Sequence, residues 1–108
     1  MPFVVEYFNR DVLAVIERWP DGVLAAYARS VELLMELGPR IGMPYSRPLG
    51  GGLFELRPRA REGTGRALYC YLSRRRIVVL HAFVKKTQRT PPAELALARR
   101  RMREVRCG

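Results

Sequence analysis

Apolar positions recur along this chain at strand spacing, then at helical spacing, then at strand spacing again. Phe3 to Phe8 alternates and is rich in Val and aromatics, which predicts a short first strand. Asn9 or Asp11 is placed to cap a helix carrying Val12, Leu13, Ile16 and Trp19 at helical spacing. Pro20-Asp21-Gly22 reads as a turn. Asp21 then caps a second helix reaching about Leu37, with an apolar stripe of Val23 or Leu24, Tyr27, Val31, Leu34 and Met35. Gly38-Pro39 stops it. The two helices make a hairpin with one apolar face.

Residues 39–52 are rich in Gly and Pro and read as a loop ending in Gly50-Gly51-Gly52. No Gly-Lys-Ser/Thr follows the triple Gly, so it is not a phosphate-binding P-loop and is expected to give flexibility before a strand. Strands are predicted at about Leu53 to Arg57, Arg66 to Ser73 and Ile77 to Lys85, with Arg74-Arg75-Arg76 in the last turn. Short connections imply antiparallel meander pairing. Thr90 is placed to cap a final helix with Pro91 at its first position, and Leu95, Ala98, Met102 and Val105 form its narrow apolar stripe. Arg99, Arg100, Arg101, Arg103 and Arg106 cover much of the rest of that helix and read as a solvated face, a phosphate contact or a partner contact.

The order β-α-α-β-β-β-α predicts an α+β fold: a small antiparallel sheet on an N-terminal helical hairpin, with a C-terminal helix, in one domain over residues 1–108. Period-two alternation puts Phe54, Leu56, Leu68, Cys70, Val78, Leu80, Ala82 and Val84 against the hairpin. Glu55, Arg57, Tyr69, Tyr71, His81, Phe83 and Lys85 then line the other face, a surface able to stack bases and hold phosphates.

Charge sharpens this picture. The formal net charge is +10, and it is unevenly placed: residues 1–52 hold five Arg and six acids, while residues 53–108 hold fifteen cations and four acids. Charge serving solubility alone would be spread more evenly, so a polyanionic partner is expected. Eighteen of the twenty cations are Arg, whose fork suits phosphate, although a GC-rich genome also inflates Arg over Lys. Cys70 and Cys107 form neither a disulfide framework nor a zinc pattern, and no metal site or cofactor is expected. The opening residues lack a signal-peptide pattern and no apolar run reaches membrane-spanning length, so a reducing cytoplasm with no membrane contact is the simplest setting.

Three stretches carry a family resemblance: Gly52-Leu53-Phe54-Glu55-Leu56-Arg57; Arg66 with Tyr69 three residues on; and Phe83-Val84-Lys85-Lys86-Thr87-Gln88 followed by Thr90-Pro91 before Glu94. In this order and spacing the chain resembles the HigB-like branch of the RelE/ParE toxins of bacterial toxin–antitoxin modules, often phage-derived. The resemblance implies a small sheet cradled by helices, and cleavage of mRNA, usually on the ribosome. It also implies a helix-turn-helix antitoxin as partner, with operator DNA bound only through that antitoxin.

RNA can be cut without a metal because the ribose 2′-OH is an internal nucleophile. The enzyme must then deprotonate it, balance the charge on the phosphorane and protonate the leaving 5′ oxygen. By motif position the resemblance nominates Arg57 and Arg66 as the phosphate clamp and Lys85 as the base, with Lys86 ranked second. Tyr69 is a candidate to stack on a base or donate a proton. His81, Phe83, Lys86 and the Arg74-Arg75-Arg76 turn are candidate RNA contacts, although a lone strand His is more often structural. Arg66 and Lys85 are expected to be exposed, and Arg57 is alternatively a surface partner of Glu55 or Glu62. Glu55, which could serve as an acid–base group, is expected instead to be half of an exposed ion pair. Two other readings stay open: a ParE-like toxin that inhibits gyrase, and a non-catalytic basic RNA-binding module.

Overall fold

Asn9 begins the helical hairpin as expected: its Oδ1 accepts the Val12 N–H at 3.0 Å. The computed structural model describes residues 2–85 and 89–107. In it α1 spans Arg10–Glu17 and α2 spans Asp21–Leu37, with Asp21 as the first helical residue and Pro20 before it. The strands are β1 (Val4–Tyr7), β2 (Ser46–Gly50), β3 (Leu53–Leu56), β4 (Arg59–Ala60), β5 (Gly63–Leu72) and β6 (Arg76–Val84), and α3 spans Pro92–Cys107. The sheet order is β1-β6-β5-β3-β2, with β4 paired to the start of β5. The pairs are antiparallel except β1–β6, which is parallel. The α+β fold with hairpin, sheet and terminal helix is therefore the one expected.

Beside the short β4, which was not expected, two further elements differ. The segment read as a loop contains β2, which contains Pro48. Proline cannot donate to a ladder, so it is tolerated because β2 is an edge strand. Gly50, Gly51 and Gly52 are not a flexible run. They form the β2–β3 turn with φ of 94°, 64° and 90°, values that favour glycine. Arg99 holds the carbonyls of Gly50 and Leu49 at 3.0 and 2.9 Å, and Arg106 reaches that of Gly51 at 3.3 Å. Part of the α3 arginine face is therefore spent on this turn.

The larger correction concerns the sheet faces. Leu68, Cys70, Val78 and Leu80 pack with Ala98 and Met102 of α3, not with the hairpin. Tyr69 and Tyr71 lie on the hairpin side with Ile16, Tyr27, Ile77 and Val79. Val84 is exposed. Phe54, Leu56 and Ala82 do meet the hairpin as expected. The reason is physical: β5 and β6 contain continuous apolar runs, Ala67 to Leu72 and Ile77 to Leu80, so alternation cannot choose a face. Such runs belong to strands covered on both sides. A register shift between Leu68 and Tyr69 further breaks the parity of β5 against β6.

Trp19 closes the hairpin over the start of β5. An ideal Cβ on Gly65 would stand 2.8 Å from the Trp19 ring. Gly65→Ala should therefore lower stability by about 1–3 kcal/mol through overpacking, read as a fall in the thermal midpoint; an unchanged midpoint would show that the ring yields freely.

Candidate functional site

Strand register gathers the charged residues. Arg47 of β2 faces Glu55 of β3, and Glu55 faces Leu68 of β5. Arg66 lies two residues before Leu68, on the same face and diagonal to Glu55. Arg66 in turn faces Phe83 of β6, and the Lys85 N–H continues the ladder to the Thr64 carbonyl at 2.9 Å. Residues from β2, β3 and β5, with the one that follows β6, thus gather at the end of the sheet where β6 leads toward α3.

At the centre is Glu55, fully buried and not the exposed ion-pair half expected. Its Oε1 is 3.4 Å from Arg47 Nη2, 3.4 Å from Arg66 Nε and 4.0 Å from Arg57 Nε. Its Oε2 accepts from the Thr90 hydroxyl. Thr90 was expected to cap the last helix; its side chain instead fastens the chain before α3 to the sheet. Arg66 is 4% exposed, contrary to expectation, and its Nη1 donates to the Gly65 carbonyl at 2.8 Å.

One carboxylate cannot neutralise this group. Burial pulls the Arg66 guanidinium below its ordinary pKa, opposed by Glu55 and aided by Arg57, Arg47 and Arg59. It remains charged nonetheless. Lys85 is also held below the usual lysine range, first by desolvation, then by Arg66, with Glu55 opposing. The cluster carries a surplus of positive charge in a partly desolvated setting. Nε of Arg47, Arg57 and Arg66 is buried without a hydrogen-bond acceptor among the described residues. Unmet donors beside surplus charge are suited to an oxyanion.

A cavity of about 350 Å³ opens beside this cluster, bounded by α2, the segment before β2, the β3–β4 link that bears Arg57, and the β4–β5 pair that bears Arg59 and Arg66. Arg57 and Arg66 therefore connect the Glu55 cluster to an open cleft.

The other sequence candidates fall elsewhere. Tyr69 has no exposed surface; it stacks on Phe54, and its hydroxyl pairs with that of Ser46 at 2.6 Å. Burial raises its pKa. It has no ring face to offer a base and is a core residue. Phe83 is 9% exposed and packs in the α3 cluster. His81 lies on the α3 face, with Nε2 3.0 Å from Glu94 Oε1. Lys86 lies outside the described residues.

Arg74, Arg75 and Arg76 are exposed at the β5–β6 turn, which is the opposite end of those strands from Arg66 and Lys85. Arg76 makes a two-pronged pair with Glu6 at 2.6 and 2.9 Å, and Arg75 lies 4.9 Å above the Phe3 ring. Arg74 and Arg75 have φ of 61° and 57°, costly for residues with a Cβ. Arg74→Gly should therefore raise stability by about 1 kcal/mol. Chemical denaturation checks this, and a loss of stability would mean that the Arg74 side chain makes compensating contacts.

Sequence reasoning missed Arg47 because its strand was unrecognised. It weighed Glu55 as an acid–base group and preferred an exposed ion pair, not a buried counterion. The usable signal was its position inside an apolar strand, Leu53-Phe54-Glu55-Leu56, where a carboxylate must find cations.

The chain matches the family described as Phage derived protein Gp49-like (DUF891) over residues 14–103, and it belongs to that family. The family is associated with toxins of toxin–antitoxin modules, which implies an antitoxin partner. A comparison with curated proteins returned no match. No helix among the described residues is long and apolar enough to cross a membrane.

Proposed function

We propose that this toxin is an mRNA endoribonuclease of the HigB/RelE kind, acting on the ribosome through the ribose 2′-OH. The observation that carries this reading is the surplus of cations around buried Glu55, with Lys85 beside them and its pKa depressed. Arg57 and Arg66 grip the scissile phosphate, and their charge balances the phosphorane as it forms. Lys85, in its neutral form, takes the proton from the 2′-OH. The oxygen then attacks the adjacent phosphorus, the P–O5′ bond breaks, and a 2′,3′-cyclic phosphate and a 5′-hydroxyl end result. Solvent supplies the proton to the leaving oxygen, since Tyr69 is enclosed in the core.

A helix-turn-helix antitoxin would neutralise the basic second half of the chain and carry the complex to operator DNA. Primer extension after induction tests the reading. New mRNA 5′ ends within translated codons support it. Intact mRNA with gyrase-linked DNA breaks would point instead to a ParE-like toxin, and no growth effect would leave a basic binding module.

A further inference from the structure

The cavity beside the Glu55 cluster is lined by groups that the proposed cleavage does not use. Arg29 projects from α2 and Arg59 from β4, joining Arg57 and Arg66 around one space of about 350 Å³. Ser30 and Thr64 add hydroxyls, and among the described residues no acidic one lines it. Arg29 and Arg59 are exposed and make no ion pair among the described residues. Tyr45 stands at the lining with 43% of its surface exposed, although it is a large aromatic. A concave site of this size with four guanidiniums and an exposed ring matches one nucleotide unit: an anion for the cations and a flat base for the ring.

We propose that this cleft is a second nucleotide subsite, holding the phosphate and base next to the scissile linkage of a single-stranded RNA. Arg29 and Arg59 bind the flanking phosphate, and Tyr45 stacks on its base. This rests on the reading of Arg57 and Arg66 as the scissile clamp, because those two residues border both spaces. An RNA strand crossing from the Glu55 cluster into the cleft would pass between the sheet end and α2. An acidic peptide satisfies the charges but leaves the exposed ring without a planar partner, so RNA is the better fit.

The test is binding, measured apart from cleavage, with a single-stranded 2′-O-methyl RNA decamer that offers no free 2′-OH. Wild type, Arg29→Ala, Arg59→Ala, the double variant and Tyr45→Ala are titrated at several salt concentrations. The substituted side chains are exposed, so the fold is expected to persist, checked by circular dichroism. The double variant should bind at least tenfold more weakly, and its log K against log salt slope should shrink by about 0.7, the value for one phosphate no longer neutralised. Tyr45→Ala should weaken binding about tenfold with an unchanged slope. Arg10→Ala, at an exposed cation of α1 that does not line the cleft, serves as the control and should change neither affinity nor slope by as much.

Unchanged affinity and slope in the double variant would overturn the subsite even if wild type cleaves mRNA. Loss of binding to a poly-glutamate peptide with RNA binding intact would overturn it in favour of a peptide groove. The converse failure is separable: a wild type that binds the decamer through Arg29 and Arg59 but cuts no RNA upholds the subsite and removes the nuclease reading.

Discussion

Replacing Glu55 by alanine should cost about 3–5 kcal/mol of folding stability, because it leaves buried guanidinium charge without its counterion. For a domain of this size that corresponds to a fall of roughly 15–30 °C in the thermal midpoint. The loss is large because Glu55 is fully buried and faces Arg47, Arg57 and Arg66 within 4.0 Å. It also removes the acceptor of the Thr90 hydroxyl and so loosens the chain leading to α3. Arg47→Ala should cost far less, since the Arg47 side chain is 39% exposed. Thermal denaturation of the two variants side by side checks this. Equal, small losses would mean that Glu55 contributes no more than a surface ion pair. Added inorganic phosphate should recover part of the lost stability, because an anion that enters the cluster replaces the missing carboxylate.

Lys85→Ala should lower cleavage by about 10²–10⁴-fold, the usual contribution of a general base, while the fold survives. Lys85 is only half buried and follows the last residue of β6, so its truncation opens no core cavity. The pH dependence carries a sign. Desolvation and Arg66 hold the Lys85 pKa below the ordinary lysine value of about 10.4, so the neutral, basic form appears at lower pH than for a free lysine. Cleavage should rise with pH and level off below that value. Glu55 acts in the other direction and favours the charged form, so Glu55→Gln should move the rising limb to lower pH. A rate profile flat across that limb would remove Lys85 as the base. Arg66→Ala is the less clean test, because Arg66 is 4% exposed and its loss also disturbs folding.

The sequence was most informative where one physical signal dominated. Asn9 as a cap, the α2 stripe ending at Gly38 and the narrow stripe of α3 were legible because helix spacing and end signals act locally. The sheet faces were not, since β5 and β6 are apolar at both parities, and that ambiguity was itself the sign of two covered faces. With Tyr69 and Tyr71 assigned to the wrong face, an open aromatic platform was expected where α3 packs. β2 was hidden because Gly and Pro dominate its surroundings, and it is the hairpin ladder to the adjacent β3 that holds it as a strand.

The site was partly legible. Arg57, Arg66 and Lys85 meet around one carboxylate although 28 residues separate the first from the last; their motif positions named them, but only the β3–β5–β6 register brings them together. Arg29, Arg47 and Arg59 could not be singled out among eighteen arginines. Each becomes special through what the fold sets beside it: Glu55 across the β2–β3 hairpin for Arg47, and the cleft for the other two.

The central claim is that these cations hold a phosphodiester while Lys85 activates its 2′-OH. The most direct measurement is the end chemistry of a ribosome-bound mRNA treated with purified toxin, beside a copy carrying a single 2′-deoxy substitution at the cut site. The account predicts a 2′,3′-cyclic phosphate and a 5′-hydroxyl on the first, no cut in the second, and no cut of either by Lys85→Ala. Cleavage of the 2′-deoxy copy, or full activity in Lys85→Ala, would contradict it.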